Sequence, residues 1–305
     1  MDVLNLVTTP RPFFELQCQA LEDRGIEPKI IKVPGRETTQ GQRTVTDYIR
    51  FYPKVIRGSL SDPDIVHGNF GLTAPFALAQ PCRPVVLSLW GTDLMGEYSP
   101  VVKRCTRHFD EVIVMSEAMA EMVDTDVTVI PHGVNFEKFR PIDQGRAQDL
   151  VGWSQQKRHI LFPYHPSRDV KDYPKAKRVV DEVNEALAEE VDLKVVHDVE
   201  HDNLYKYMNA SDALLLTSKR EGSPNSVKEA LACNLPVVST DVGGVSNHLS
   251  DVSNSYVGAT EQELVEHLSS VIKSDQRSDG RNHIADLSLD QMAEDIVSVY
   301  KRALS

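Results

Sequence analysis

Short runs of β-branched and aliphatic residues recur along the whole chain with helical patterns between them, and this alternation restricts the fold more than any other feature. The runs are VLNLVT (3–8), PKIIKV (28–33), DIVHG (64–68), PVVLSLW (84–90), EVIVMS (111–116) and DVTVIP (126–131), then HILFPY (159–164), LKVVHDV (193–199), ALLLTS (213–218) and PVVST (236–240). Helical patterns fall at 45–57, 71–80, 100–108 and 117–123, and again at 174–188, 203–210, 224–233 and 288–304. Strands apolar on both faces belong in a parallel sheet covered by helices on each side. The alternation lapses over 135–158, which is polar and lacks a strand run. The expectation is two doubly wound α/β domains, 1–140 and 141–305, with the final helix 288–304 packing back on the first. Ligands of such sheets bind beyond the carboxyl ends of the strands, so the polar residues gathered there are the candidates for function.

The 305 residues suffice for two cores of ordinary size. A net charge of -12 argues against a nucleic-acid surface, which needs a basic stripe. No run approaches the roughly 20 apolar residues of a membrane span, and MDVLNLVTTPRPFF lacks the regions of a signal peptide. Cys18, Cys82, Cys105 and Cys233 are scattered, as in a reducing compartment. A cytoplasmic protein is expected.

The densest punctuation is REGSPNSVKEALACNLPVVSTDVGG (220–244), which follows the ALLLTS strand. Ser223 suits an N-cap and Pro224 the first helical position, so the amides of Asn225, Ser226 and Val227 would stand free at a helix start. Free amides and the positive end of the helix dipole make a phosphate site there. Glu229, about a turn further in, can accept two hydrogen bonds from a vicinal diol such as a ribose. Glu221, ahead of the helix, can do the same for a second hydroxylated ring.

This segment resembles the donor-binding signature of the family-four retaining glycosyltransferases, in which Glu-x7-Glu-Ala leads to Pro-Val-Val and a Gly-Gly turn. The resemblance implies the GT-B fold, two Rossmann-like parallel-sheet domains facing a cleft. It also implies that Glu229 binds the ribose of a nucleotide sugar, that Glu221 contacts the transferred sugar, and that Gly222 and Ser223 line the site with the amides of Asn225, Ser226 and Val227. A Glu often follows the Gly-Gly turn in the family, and Ser246-Asn247 stand there instead. The family places an Arg and a Lys after the first strand of the second domain, where they neutralise the diphosphate. FPYHPSRDVKDYP (162–174) offers Arg168 and Lys171 at a different spacing and without the usual glycine.

Three further segments carry the likeness along the chain. VIPHGVNFEKFRP (129–141) is similar to the family's interdomain segment, with His132 and Asn135 in place of Asn and Asp. DIVHGNFGLTAPFAL and LSLWGTDL look like the cleft strands of the first domain. Trp90 occupies the place of a family histidine, which leaves Asp93 as the candidate to contact or deprotonate the acceptor, with His67 and Arg11 as further acceptor-side candidates. The first loop, TTPRPFF, has no glycine where the family often has a pair.

HDVEH (197–201) spaces two histidines by four but follows a strand, so no metal site is expected. Dinucleotide-binding, P-loop and nucleophile-elbow motifs are missing from the sequence. The reading is a retaining glycosyltransferase that uses a UDP- or GDP-sugar and no cofactor. Its acceptor would be a sugar or lipid-linked glycan, with a peripheral membrane location as one outcome. The alternatives are a nucleotide-sugar epimerase of the same architecture and a non-catalytic nucleotide-sugar-binding subunit.

Overall fold

The computed structural model describes residues 1–35, 43–187 and 190–305. Two units emerge, Met1–Gly133 with Leu289–Ser305, and Val134–Ser288.

In the first unit, six parallel strands are ordered β2-β1-β3-β4-β5-β6. They are β1 (Asp2–Val7), β2 (Glu27–Lys32), β3 (Ile65–Asn69), β4 (Val85–Ser88), β5 (Glu111–Val114) and β6 (Thr128–Val129). Every residue of β3 and β4 is buried, as strands covered on both faces must be. The sequence order reverses beside β1, which pairs with β2 on one side and β3 on the other. The terminal helix Leu289–Ala303 belongs to this unit, and it buries Ile296, Val299 and Tyr300 in the same core as Val86 and Leu87.

The second unit holds β7 (Arg158–Phe162), β8 (Val191–Val195), β9 (Ala213–Leu216), β10 (Val237–Thr240) and β11 (Tyr256–Gly258), ordered β11-β10-β9-β7-β8. Side chains alternate faces along a strand, so β9 feeds two cores. Leu214 and Leu216 pack with Val227, Ala230 and Leu231 of the helix Asn225–Ala232. Ala213 and Leu215 pack with Val179 and Val183 of the helix Tyr173–Ala186 and with Leu264 and Leu268 of the helix Glu261–Ser274. Each such Leu or Val, fully withdrawn from water, stabilises the unit by ~1.5–3 kcal/mol. Order reverses at β7, flanked by β8 and β9, and the loops after these strands therefore border the unit's switch point.

The seam falls between Gly133 and Val134 rather than at 140/141. Val134 and Phe139 are buried in the second core, and Val134 N–H donates to Leu287 O at 2.8 Å. The polar segment without a strand run contains a helix, Gln144–Val151, capped by the Asp143 carboxylate and closed by Gly152 in the left-handed conformation. The end of the helix expected at 174–188 lies outside the described residues.

Candidate functional site

A cluster of polar side chains is built at the switch point of the second unit. Thr217, the residue after β9, is fully buried and its hydroxyl donates to the carbonyls of Lys171 (2.9 Å) and Asp172 (3.1 Å). Lys219 N–H donates to Val170 O at 2.9 Å, so the loops following β7 and β9 are stapled together. This draws Lys171 inside, to 4% exposure, with its ammonium paired to the Glu221 carboxylate. Ser218 Oγ donates to Glu221 Oε1 at 2.6 Å. The Lys171 ammonium also lies 3.7 Å from the centre of the Tyr164 ring, which carries the Arg168 guanidinium at 5.7 Å. The Tyr164 hydroxyl bonds Ser226 Oγ on the first turn of the helix Asn225–Ala232.

Burial pushes the Lys171 ammonium down to about 8, with Glu221 opposing the shift and Arg168 adding to it. Burial, reinforced by the Glu221 charge, holds the Tyr164 hydroxyl in its protonated form. On the far side, the loop after β10 reaches Glu221 through Gly243. Its φ is +59°, and a Cβ there would stand 2.8 Å from Glu221 Cβ. Glycine is required at that position for both reasons.

The helix start differs in detail from expectation. Pro224 is the N-cap and the helix begins at Asn225, so Ser223 makes no cap. Val227 N–H donates to Pro224 O at 3.1 Å, and the Val227 side chain is in the core. Its amide is thus withdrawn from the expected anion site, leaving Asn225 and Ser226 at the head of the helix. Ser223 Oγ and Asn225 Oδ1 are buried and without a hydrogen-bond partner among the described residues. Buried polar atoms without partners ask for a ligand or water. Gly222 lies in the same turn, between Glu221 and Ser223.

Glu229 is buried at 7% exposure and accepts a hydrogen bond from His201 Nε2 at 2.7 Å. His201 follows β8, the neighbour of β7, and the sequence reading had it only as half of a histidine pair. His197, the other half, instead meets His165 with ring centres 4.5 Å apart. His165, His197 and Asp198, all exposed, bring ligand atoms within 4.8 Å of one another. Tyr164, Ser218, Thr217 and His201 were missed because each is ordinary in sequence. For Tyr164, Thr217 and Ser218, a position just past a strand end was the one available signal.

In the first unit the acceptor-side candidates divide. Asp93 is 5% exposed, and its oxygens accept from Gly71 N–H (2.9 Å), Gly91 N–H (2.7 Å) and Trp90 N–H (3.0 Å). Burial raises its pKa against the pull of these amides. A carboxylate so occupied shapes the loops after β3 and β4 and does not reach out for an acceptor proton. His67 is fully buried with Nδ1 at 2.8 Å from Tyr300 Oη and Nε2 at 2.8 Å from Ser88 Oγ. Burial pushes it down to about 3, so it is a neutral structural residue.

Trp90 sits among Phe13 (4.9 Å between ring centres), Phe70 (5.8 Å) and Phe14 (6.1 Å). Its indole Nε1 is buried and lacks a hydrogen-bond partner among the described residues. Phe70 holds φ +87° at the end of β3, a strained conformation for a bulky residue. Arg11 is exposed at the N-cap of the helix Pro12–Glu22, on the glycine-free loop after β1. Arg43 braces that loop by donating to Thr8 O at 2.6 Å and Thr9 Oγ1 at 2.8 Å.

Two family models match the chain, "Glycosyltransferase Family 4" over residues 13–138 and "Glycosyl transferases group 1" over residues 174–285. The chain belongs to the family-four, group-1 glycosyltransferases. Among curated proteins it resembles TuaC of Bacillus subtilis (strain 168), proposed as a teichuronic acid biosynthesis glycosyltransferase, at 28% identity over 214 residues. That match takes in 61% of this chain, which spans about 55% of the length of TuaC.

The fold is that of solved GT-B glycosyltransferases. Anabaena Alr3699/HepE in complex with UDP aligns over 99% of this chain and 100% of its own, with a TM-score of 0.73 at 15% identity. WaaG, involved in lipopolysaccharide biosynthesis, aligns over 98% of this chain and 99% of its own, with a TM-score of 0.67 at 14% identity. The E. coli trehalose-6-phosphate structure bound with UDP-2-fluoro glucose aligns over 99% of both chains, with a TM-score of 0.75 at 11% identity. Among the described residues, no helix is long and apolar enough to cross a membrane.

Proposed function

We propose that the protein is a cytoplasmic retaining glycosyltransferase that moves a hexose from a nucleotide diphosphosugar, a UDP- or GDP-sugar, to an acceptor hydroxyl. The process it serves would be glycan, glycolipid or polysaccharide synthesis. The observation that carries this reading is the convergence of two cations, two carboxylates and a helix start at one switch point. Lys171 and Arg168 suit a diphosphate, Glu221 the hydroxyls of the transferred sugar, and Glu229 the ribose diol. UDP and a UDP-sugar in the solved relatives support a donor of this class.

In the reaction, the bond between the anomeric carbon and the diphosphate oxygen breaks, and its electron pair leaves on the nucleoside diphosphate. Lys171, Arg168 and the amides of Asn225 and Ser226 stabilise that developing charge with charge-assisted hydrogen bonds. The acceptor oxygen bonds to the anomeric carbon on the face the diphosphate vacates, and its proton passes to a departing phosphate oxygen. Arg168 and Lys171 supply the positive charge that a metal brings in other transferases, so the reaction needs none. The glycan acceptor, free or lipid-linked at a membrane surface, is assigned to the first unit, with Arg11 and the Trp90 aromatic cluster as its contacts. The test is a thermal-shift screen with UDP, GDP, ADP and their sugars, because a ligand bound only by the native state raises its stability. A shift with one nucleotide series, lost in Lys171→Ala, supports the reading; no shift with any of them refutes it.

A further inference from the structure

We propose that His201 is a positioning residue for Glu229 and sets how strongly the site grips the donor's nucleoside diol. The inference rests on the donor reading above and assigns to this chain a feature that the Glu-x7-Glu signature does not contain. A glutamate one turn into a helix has several rotamers, and only some would aim both oxygens at a pair of vicinal hydroxyls. His201 removes that freedom, because its Nε2–H donates to Glu229 Oε1 at 2.7 Å. Oε2 and the second lone pair of Oε1 remain for the diol.

The imidazole is itself held. It rides on the 3-10 turn His201–Asn203, which is closed by Asn203 N–H donating to Glu200 O at 2.8 Å. Its ring packs 5.4 Å from the centre of the Phe139 ring, and Phe139 is 1% exposed. The charged groups around it are Glu229 on the facing helix, Asp202 on its own turn and Lys138 from the segment beside Phe139. Lys138 is paired with Asp202, which leaves Glu229 as the carboxylate bonded to the ring. Burial pulls the imidazole pKa down, and the bond and charge of Glu229 more than offset it, so the net shift is upward. Protonation turns the hydrogen bond from a neutral imidazole to the carboxylate into an ion pair and draws acceptor strength away from the diol. The grip is therefore expected to weaken as the solution is acidified through the imidazole pKa.

The experiment compares binding of UDP, GDP and ADP with binding of their 2′-deoxy counterparts by calorimetry, using the full chain at pH 8 and pH 5.5. Inorganic pyrophosphate serves as a probe of the diphosphate site alone. Wild type should prefer the ribo form by about tenfold at pH 8, the worth of one hydrogen bond to a charged group, and by less at pH 5.5. His201→Ala should lose most of that preference while keeping its pyrophosphate affinity. His201→Gln, whose amide can still donate to Glu229, should keep the preference and lose its pH dependence. If both variants retain the wild-type preference and its pH dependence, or both lose it together with pyrophosphate binding, the proposal is overturned. Wild type that binds no nucleoside diphosphate would overturn the donor reading, and this proposal with it. Wild type that binds one without any ribo preference would leave the diphosphate site standing and remove the role of His201.

Discussion

Replacing Glu221 with alanine probes a deeply buried charge pair in the second unit. Lys171 and Glu221 have 5% and 15% of their side chains exposed, and Ser218 adds a 2.6 Å hydrogen bond to the carboxylate. Removing one member of a buried pair costs about 3–5 kcal/mol, since the other charge stays out of water without its partner. Two features lower that figure here. The Tyr164 face remains beneath the ammonium at 3.7 Å, an attraction of ~1–2 kcal/mol. Lys171 can also shed its proton, because burial already holds it down at about 8 with Glu221 present.

The expected loss for Glu221→Ala at pH 7 is therefore about 2–3 kcal/mol. In wild type the folded-state pKa of Lys171 lies below its unfolded value of 10.5. Between about 8 and 10.5 the unfolded chain binds more protons, so this group makes stability rise with pH across that window. The variant's window should open lower, so its deficit should shrink as pH is raised from 7 to 9. The second unit can be followed alone, because the two tryptophans divide between the units and Trp90→Phe leaves Trp153 as reporter. Urea unfolding of Glu221→Ala and Glu221→Ala/Lys171→Met on that background gives both the loss and its recovery. A Glu221→Ala loss under 0.5 kcal/mol, or a double variant no more stable than the single one, would show that the pair is not buried as described.

Gly243→Ala should cost about 1–2 kcal/mol and weaken donor binding, since the new methyl meets Glu221 Cβ at 2.8 Å from a φ of +59°; unchanged binding in calorimetry would contradict this. His67 is held neutral at about 3 against an unfolded value of 6.5. The unfolded chain takes up its proton first, so His67→Gln should lessen the loss of stability as pH falls from 6.5 toward 4, in thermal melts across that range. Chelation with EDTA should leave UDP affinity unchanged if, as proposed, Arg168 and Lys171 hold the diphosphate. A tenfold loss on chelation, restored by zinc, would shift attention to His165, His197 and Asp198.

Strands β1 to β10 and the turns of 220–244 were legible because two-face burial leaves unbroken apolar runs and because Gly and Pro mark their own positions. β9, β10 and the helix between them fell within a residue or two of the expected bounds. The helix Glu261–Ser274 was overlooked although Thr260 and Glu263 form a capping box ahead of it. Gln144–Val151 was overlooked although Asp143 and Gly152 bracket it. Asp93 and His67 looked available because sequence shows a polar residue at a strand end but not what it touches. Three backbone amides and two hydroxyls, all distant or turn-local partners, claim them. His201 was obscured for the same reason, since its partner Glu229 lies 28 residues away in sequence.

The central claim is that the cluster after β7 and β9 binds the diphosphate of a nucleotide sugar. Calorimetric titration of wild type, Arg168→Ala and Lys171→Ala with UDP-glucose and GDP-mannose tests it most directly. The account predicts binding of one of the two sugars by wild type and at least a tenfold loss in each variant, the share of one charge-assisted hydrogen bond. Binding that is unchanged in both variants would contradict it.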